Sequence, residues 1–497
     1  MKIVNKIKNI IIVFCCFSLI AVSNIDIHAQ KKQTTTTKKA PAKKQTTTTK
    51  KAPAKKQTTK KKTPTKNTPP NSHIFLQDTL LSSGISYKQL ITTINGVKHK
   101  VNIIQVDLNN SKAEVSVIKG GNNVVELETL TNLLSNSKVD TSQKEIVAGV
   151  NANFWKGGTN YPMGPTVIDG EIAEMRAYKK WTSTFFNEDG EPFMGFFNIQ
   201  GEMITKNGSY RIPISDVNHR KDSNGVICYN RFSGDTIPYI NSKKVKELMI
   251  GSMDNLFVSG EIVDSTESVE ASVLQNESIL EAERASKSEY FLDKIVLRYI
   301  DTPAVNTFIR CKVENITSGS VGMPDFGCII SIGKDTEKEN LPDIGEIVNL
   351  HFWTNQHESE VFINAVCGPP RLVRDGIARP ETSEEDIYRK KFINPALPRT
   401  AIGYNKNKTK LFLVAVPGSN KQDGTIGASL FQLADIMEYI GCYNAHNLDG
   451  GGSTNMVIGE QNVINPAASR KLSVGIAAIK LKIEKQTKLQ RRKKPGT

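Results

Sequence analysis

Apolar residues run along much of the chain in short stretches bounded by Gly, Asn and Asp, as at 101–106, 113–118 and 295–299. Runs of that length and boundary chemistry predict β-strands. Helical spacing is rarer. Its clearest instance is 425–440, where Ile426, Leu430, Leu433, Met437 and Ile440 fall on one stripe and Gly441 stands where a left-handed residue would end a helix. Many strands with few helices predict an α+β fold of mixed and antiparallel sheets. The C-terminal third is the most legible region. Two strands, 400–404 and 410–416, flank the turn Asn405-Lys406-Asn407-Lys408, and the helix and a short strand at 443–448 follow. The chain resumes as a strand at 455–458, after Asp449-Gly450-Gly451-Gly452-Ser453-Thr454. Asp449 is thereby set at the end of an element, where mixed α/β architectures commonly hold ligands.

The two ends of the chain follow other patterns. Residues 1–29 read as a secretory signal, with Lys2, Lys6 and Lys8 before the apolar run 10–22 and the small Ala29 at the cleavage position. That run is shorter than the roughly 18 apolar residues a membrane span needs, so export without a span is the expectation. The destination would be the periplasm, the cell surface or the medium. From Lys31 the sequence KKQTTTTKKAPA occurs twice and then decays to KKQTTKKKTPTK. Such a segment has nothing to bury, so 30–72 is expected to be a disordered basic tether suited to anionic cell-surface polymer. The formal charge of +15 belongs to such stretches, because residues 71–484 alone sum to −7. A nucleic-acid partner is therefore not indicated. One elaborate body is expected over 73–484, with an insertion at about 255–290 for which the sequence suggests no role, and a basic tail over 485–497. Five cysteines follow the signal, Cys228, Cys311, Cys328, Cys367 and Cys442; they are odd in number and widely spaced, which predicts one disulfide or none and no zinc site.

Three consecutive glycines permit backbone angles closed to other residues and let a ligand approach the main chain. Their amides can form an anion-binding nest, with a carboxylate before them and two hydroxyls after. An isolated Asp-Gly-Gly-Gly is most often only a tight turn. Its company changes the picture. GVNANFW stands at 149–155, VIDGEI at 167–172, VNHR at 217–220 and GCIISIG at 327–333. NAVCGPPRLVRDG follows at 364–376, PRTAIGY at 398–404 and HNLDGGGSTNMVIG at 446–459. The series resembles the phosphodiester glycosidase family over roughly 90–480, and its specific part is PRTAIGY followed by NLDGGGST.

The resemblance implies hydrolysis of a sugar-1-phosphodiester in a surface polysaccharide, wall polymer or scavenged glycan, so a carbohydrate or sugar-phosphate substrate is expected. Asp449 matches the family's aspartate and is expected to face the anomeric carbon, because an oxocarbenium-like centre calls for a carboxylate. Arg399 is expected to answer the phosphate charge with its planar fork. Substrate contacts are expected from Asn151 and Asn153, which share a strand face, from His219 and Arg220, and from Gly368 and Asn447. The loop itself would add Gly450, Gly451, Gly452, Ser453 and Thr454. Phe154 and Trp155 read either as a sugar platform or as core. Where the family tends to have a glycine-rich run before a proline, this chain has Cys367-Gly368-Pro369-Pro370, a side chain that would narrow one wall. No cofactor is required by this chemistry; metal content is undetermined, and a supporting calcium ion is compatible with it. Three other readings stay open. One is a catalytically silent glycan-binding surface protein. The second is a serine hydrolase through Ser453, which would need a base among His219, His351, His357 and His446. The third is a metal-assisted phosphodiesterase, though no HxH or HExxH motif occurs.

Overall fold

The structure is a computed structural model describing residues 71–137, 139–157, 159–221, 223–238, 288–465 and 470–482. The secretory signal, the basic repeat, the C-terminal tail and the Glu- and Ser-rich stretch up to residue 287 lie outside the described residues. Ser72, at the expected end of the tether, opens the first strand, Ser72–Ser82.

The body is built from sheets with few helices. Eight strands form one sheet in the order Ser72–Ser82, Ile85–Ile94, Val97–Asp107, Lys410–Val416, Arg399–Tyr404, Asn444–Asn447, Arg371–Arg374, Ile377–Ala378. A five-stranded sheet places Lys144–Asn151 between Met456–Ile458 and Gly475–Leu481. A second five-stranded sheet is centred on Phe362–Cys367, and a second eight-stranded sheet runs from Tyr210–Ile214 to Asp216–Val217. The paired strands are antiparallel except for Asp216–Val217 against Ile227–Tyr229. Nearly every connection can therefore be a short turn rather than a helical crossover, which is why helices are scarce.

Period-two alternation decides which face each side chain meets. On Lys410–Val416, Leu411, Leu413 and Ala415 pack toward Val115, Ala148, Val150 and Ile476 of the five-stranded sheet. Phe412, Val414 and Val416 pack instead with Leu430, Leu433 and Met437 of the helix Leu430–Tyr439. Arg399–Tyr404 alternates the same way: Ala401 lies with the helix, Ile402 and Tyr404 with the sheet. The helix starts later than the apolar stripe suggests. Ser429 caps it, its hydroxyl accepting from the Gln432 amide while the Gln432 side chain accepts from the Ser429 amide, and that closed box fixes the start. Residues 425–428 are loop, held by pairing of Asn420 with Thr425 and of Leu397 with Ala428. Gly441, at φ +99°, ends the helix as expected. The five cysteines are all buried and unbridged.

Candidate active site

The glycine loop joins two different sheets. Asn444–Asn447 belongs to the large sheet and Met456–Ile458 to the five-stranded one, so Asp449 is held at the seam where their ends meet. Its main chain is fixed from the end of Lys144–Asn151. The Asp449 amide donates to Ala152 O at 2.9 Å, and Asn151 Nδ2 donates to Asp449 O at 2.6 Å. Asn151 Oδ1 accepts from Thr400 Oγ1 at 2.8 Å and from the Asn455 amide at 3.0 Å. One buried amide thus ties the residue beside Arg399, both sides of the glycine loop and a third strand into one unit. Gly451 has φ +59° and donates its amide to Pro398 O at 2.8 Å. A Cβ on Gly450 would stand 3.0 Å from the same carbonyl. These two positions require glycine for backbone conformation and close approach.

The side chains facing this seam are polar, buried and under-satisfied. Asn447 Oδ1, Asp449 Oδ1, Ser453 Oγ and Thr454 Oγ1 make no well-formed hydrogen bond among the described residues although their residues are almost wholly buried, the Ser453 hydroxyl lying only near enough to the Asp449 carboxylate to draw on its charge. Buried polar atoms are ordinarily paired, so four orphans around one loop mark a place where a polar ligand would complete them. Burial pushes the Asp449 carboxyl up to about 7, against the pull of the Ser453 hydroxyl, the Arg470 charge and the Gly450 amide. The nest expected of the three glycines is partly spent: the Gly451 amide serves Pro398, and the Gly450 amide leans on the carboxylate.

Arg399 is 1% exposed. Its Nε donates to Ala428 O at 2.9 Å and its Nη2 to Phe392 O at 2.7 Å and Pro395 O at 3.3 Å, with the Phe392 ring 5.2 Å from the guanidinium. No carboxylate pairs with it among the described residues, and burial lowers it to about 10, so it remains charged at neutral pH. Nη1 takes part in none of those three bonds. Arg470 comes to the other side of the loop, its Cδ 3.4 Å from where a Gly452 Cβ would stand. The sequence gives no signal for Arg470, which lies outside the motifs. An apolar wall completes the surroundings: Phe154, Trp181 and Cys367 are buried together with Met163 and Phe392 against them. Trp181 Nε1 is a further orphan.

Several residues expected to touch substrate are engaged otherwise. Besides Asn151, Asn153 donates to Thr166 Oγ1 at 2.9 Å and accepts from the Cys367 amide at 3.1 Å, so both asparagines hold the frame. Gly368 donates to Thr182 O at 3.0 Å and accepts from His446 Nδ1 at 2.7 Å; a Cβ there would stand 2.4 Å from Asn447 O. Arg220 is buried in an ion pair with Glu289 and also donates to Gly225 O and to Ser331, which makes it a strut of the second large sheet. His219 packs against Tyr161, 4.6 Å between ring centres, and burial beside the Arg176 charge lowers it to about 3. The Cys367 side chain is buried against Gly164 rather than across an open wall. Glu385, which the sequence did not single out, is a buried carboxyl raised by burial to about 7. It accepts from Thr182 N, Thr182 Oγ1 and the Arg371 amide and so acts as a clamp. His446 is engaged at both nitrogens, Nδ1 to Gly368 O and Asn447 O and Nε2 to Thr184 Oγ1, and burial lowers it to about 4. No imidazole hydrogen-bonds Ser453 among the described residues, which weighs against a serine triad.

A buried carboxyl with one unpaired oxygen and unpaired hydroxyls at a sheet seam form a site that a polar ligand would complete, while the Arg399 guanidinium is committed to main-chain carbonyls. Residues 308–479, which include Arg399 and Asp449, match the model of the phosphodiester glycosidase family. The N-acetylglucosamine-1-phosphodiester alpha-N-acetylglucosaminidase of Bos taurus is 31% identical over 105 residues, 20% of this chain and 19% of the bovine protein. A hypothetical protein from Synechocystis shares the fold at a TM-score of 0.54 and 16% identity, over 83% of this chain and 64% of that one. The catalytic domain of the zebrafish N-acetylglucosamine-1-phosphodiester alpha-N-acetylglucosaminidase, auto-inhibited by its pro-peptide, aligns at a TM-score of 0.35 and 14% identity, over 85% and 86% of the two chains. The chain thus spans about a fifth of the bovine relative and under two thirds of the Synechocystis structure.

Proposed function

We propose that this chain hydrolyses the bond between the anomeric carbon of a sugar and a phosphodiester, acting outside the cell on a surface polysaccharide, wall polymer or scavenged glycan. The observation that carries the reading is the buried Asp449 carboxyl with its Oδ1 unpaired among the described residues, in the stretch that matches the family. Ionised Asp449 faces the anomeric carbon and offsets the positive charge that grows as the carbon to oxygen bond lengthens. The bonding electrons pass to the phosphate oxygen, and Arg399 steadies that charge. Water supplies hydroxide to the sugar and a proton to the departing phosphomonoester. Such a leaving group departs as a stable anion, so the reaction places little demand on a strong acid. Asn447, Ser453 and Thr454 bind sugar or phosphate oxygens; Asn151 and Asn153 hold the frame. The basic repeat is the spacer that keeps the body near anionic polymer.

A panel of sugar-1-phosphodiesters hydrolysed in ¹⁸O-water tests this. Label in the released sugar is the expected outcome; label in the phosphate would move the chemistry to phosphorus, and no turnover of any diester would leave a glycan-binding protein in place of an enzyme. Mass spectrometry of the protein from its own cell tests export, with a mature chain starting near Gln30 as the expected result.

A further inference from the structure

A groove of about 500 Å³ lies beside the glycine loop, lined by Lys100, Asn102, Ser419, Lys421, Gln422 and Ile464, with Pro417 and Gly418 at one end. Its position follows from the chain path. Pro417 follows Val416, which pairs with Arg399 across the sheet. A Cβ on Gly418 would stand 3.4 Å from Pro398 Cγ, and Pro398 O is the carbonyl that receives the Gly451 amide at 2.8 Å. On the far side, Ile464 follows Asn462, whose side chain donates to Asn455 Oδ1 at 2.6 Å, one residue beyond Thr454. The groove and the Asp449 loop therefore share a wall.

We infer that this groove binds the leaving arm of the substrate, and that the arm is an extended, anionic glycan rather than a small alcohol; this rests on the glycosidase reading above. A phosphodiester has two arms, and the buried seam around Asp449 offers unpaired polar atoms for the sugar and the phosphate. The groove is open and polar, as a hydrated chain needs. The Gln422 side-chain amide and the Ser419 hydroxyl offer hydrogen bonds to sugar hydroxyls, while the Asn420 amide braces its own loop against Gln422 N and Asp423. Its excess positive charge is the single Lys421, in a body that is acidic as a whole: Lys100 is neutralised by Asp423 at 3.2 Å, while Lys421 is exposed and makes no ion pair among the described residues. A rim lysine of that kind favours a polyanion chiefly through encounter and orientation.

The test compares the full chain with Lys421→Glu, an exposed substitution that leaves the catalytic loop untouched. Each sugar-1-phosphate is offered as its methyl diester and as its diester to a uronic-acid-containing, and hence anionic, trisaccharide. The expected result is a KM for the trisaccharide diester raised about fivefold or more by the variant, with kcat and all constants for the methyl diester unchanged. Calorimetry with the trisaccharide phosphomonoester, the arm left after cleavage, gives a reading independent of turnover, and its affinity should fall in the variant by a similar factor. If both diesters respond alike, or neither responds, or the phosphomonoester does not bind the wild type, the groove is not the leaving-arm site. Absent hydrolysis of every diester with phosphomonoester binding still weakened by Lys421→Glu would overturn the catalytic reading and leave the groove assignment standing.

Discussion

Asp449→Asn separates the chemical role of the carboxyl from its cost to the fold. Burial raises the group from 3.8 to about 7. Below pH 3.8 the carboxyl is protonated folded or unfolded and contributes nothing. Between the two values the unfolded chain releases the proton while the folded protein keeps it, so stability falls as pH rises. Above about 7 both states are ionised and the full penalty is present. At about 1.4 kcal/mol per pKa unit the upper bound is about 4 kcal/mol; relaxation of the loop and the nearby Arg470 charge reduce it. Asn has nearly the same shape and no charge to desolvate. The variant should therefore equal the wild type near pH 4, become progressively more stable relative to it up to about pH 7, and hold a constant advantage beyond. Turnover should fall roughly 100-fold or more, equivalent to about 2.7 kcal/mol of transition-state stabilisation. Urea unfolding at pH 4, 6 and 8, together with kcat on the best diester, measures both. In the wild type, kcat/KM should show an acid limb near pH 7, because the ionised form is the one that works. A variant less stable at pH 8 by an amount independent of pH would show the carboxylate to be stabilised by its surroundings and would refute the argument. So would a folded variant with near-normal turnover.

Asn151→Ala would leave Asp449 O, Thr400 Oγ1 and the Asn455 amide without their partner; at about 1–3 kcal/mol per abandoned buried group the urea midpoint should fall by the equivalent of 3 kcal/mol or more, roughly, and a loss under about 1 kcal/mol would show that the hub is not one. Ser453→Ala should cost less than about tenfold in turnover, since its hydroxyl meets no imidazole; abolished activity in a folded protein would restore the serine reading. Arg220→Ala breaks a buried pair with Glu289 and should cost about 3–5 kcal/mol of stability while kcat per folded molecule stays unchanged; a selective loss of kcat would return Arg220 to the substrate.

The local patterns carried the sheet-rich character of the fold and the position of the glycine loop between two strands. Alternating apolar residues at 410–416 and the stripe through Leu430, Leu433 and Met437 are short-range consequences of strand and helix periodicity, so they can be read without knowing any partner. The same holds for Asp449 at an element end, since its neighbours in sequence are its neighbours in space. The helix start was not legible from the stripe, because Ile426 obeys the period while the Ser429 box, a hydrogen-bond closure, overrides it. The roles of the distant motifs needed the tertiary structure. Asn151 lies 298 residues from Asp449 in sequence and 2.6 Å from its carbonyl, and nothing along the chain distinguishes an amide that binds a sugar from one that ties three strands together. Arg220 likewise reads as a phosphate contact until Glu289 is seen beside it. Arg470, Trp181 and Phe392 stand in none of the motifs, and Phe154, which does, reads in sequence as sugar platform or core alike. A sequence records which polar groups exist; only the folded chain decides which of them are already satisfied by protein, and so which are left for a substrate.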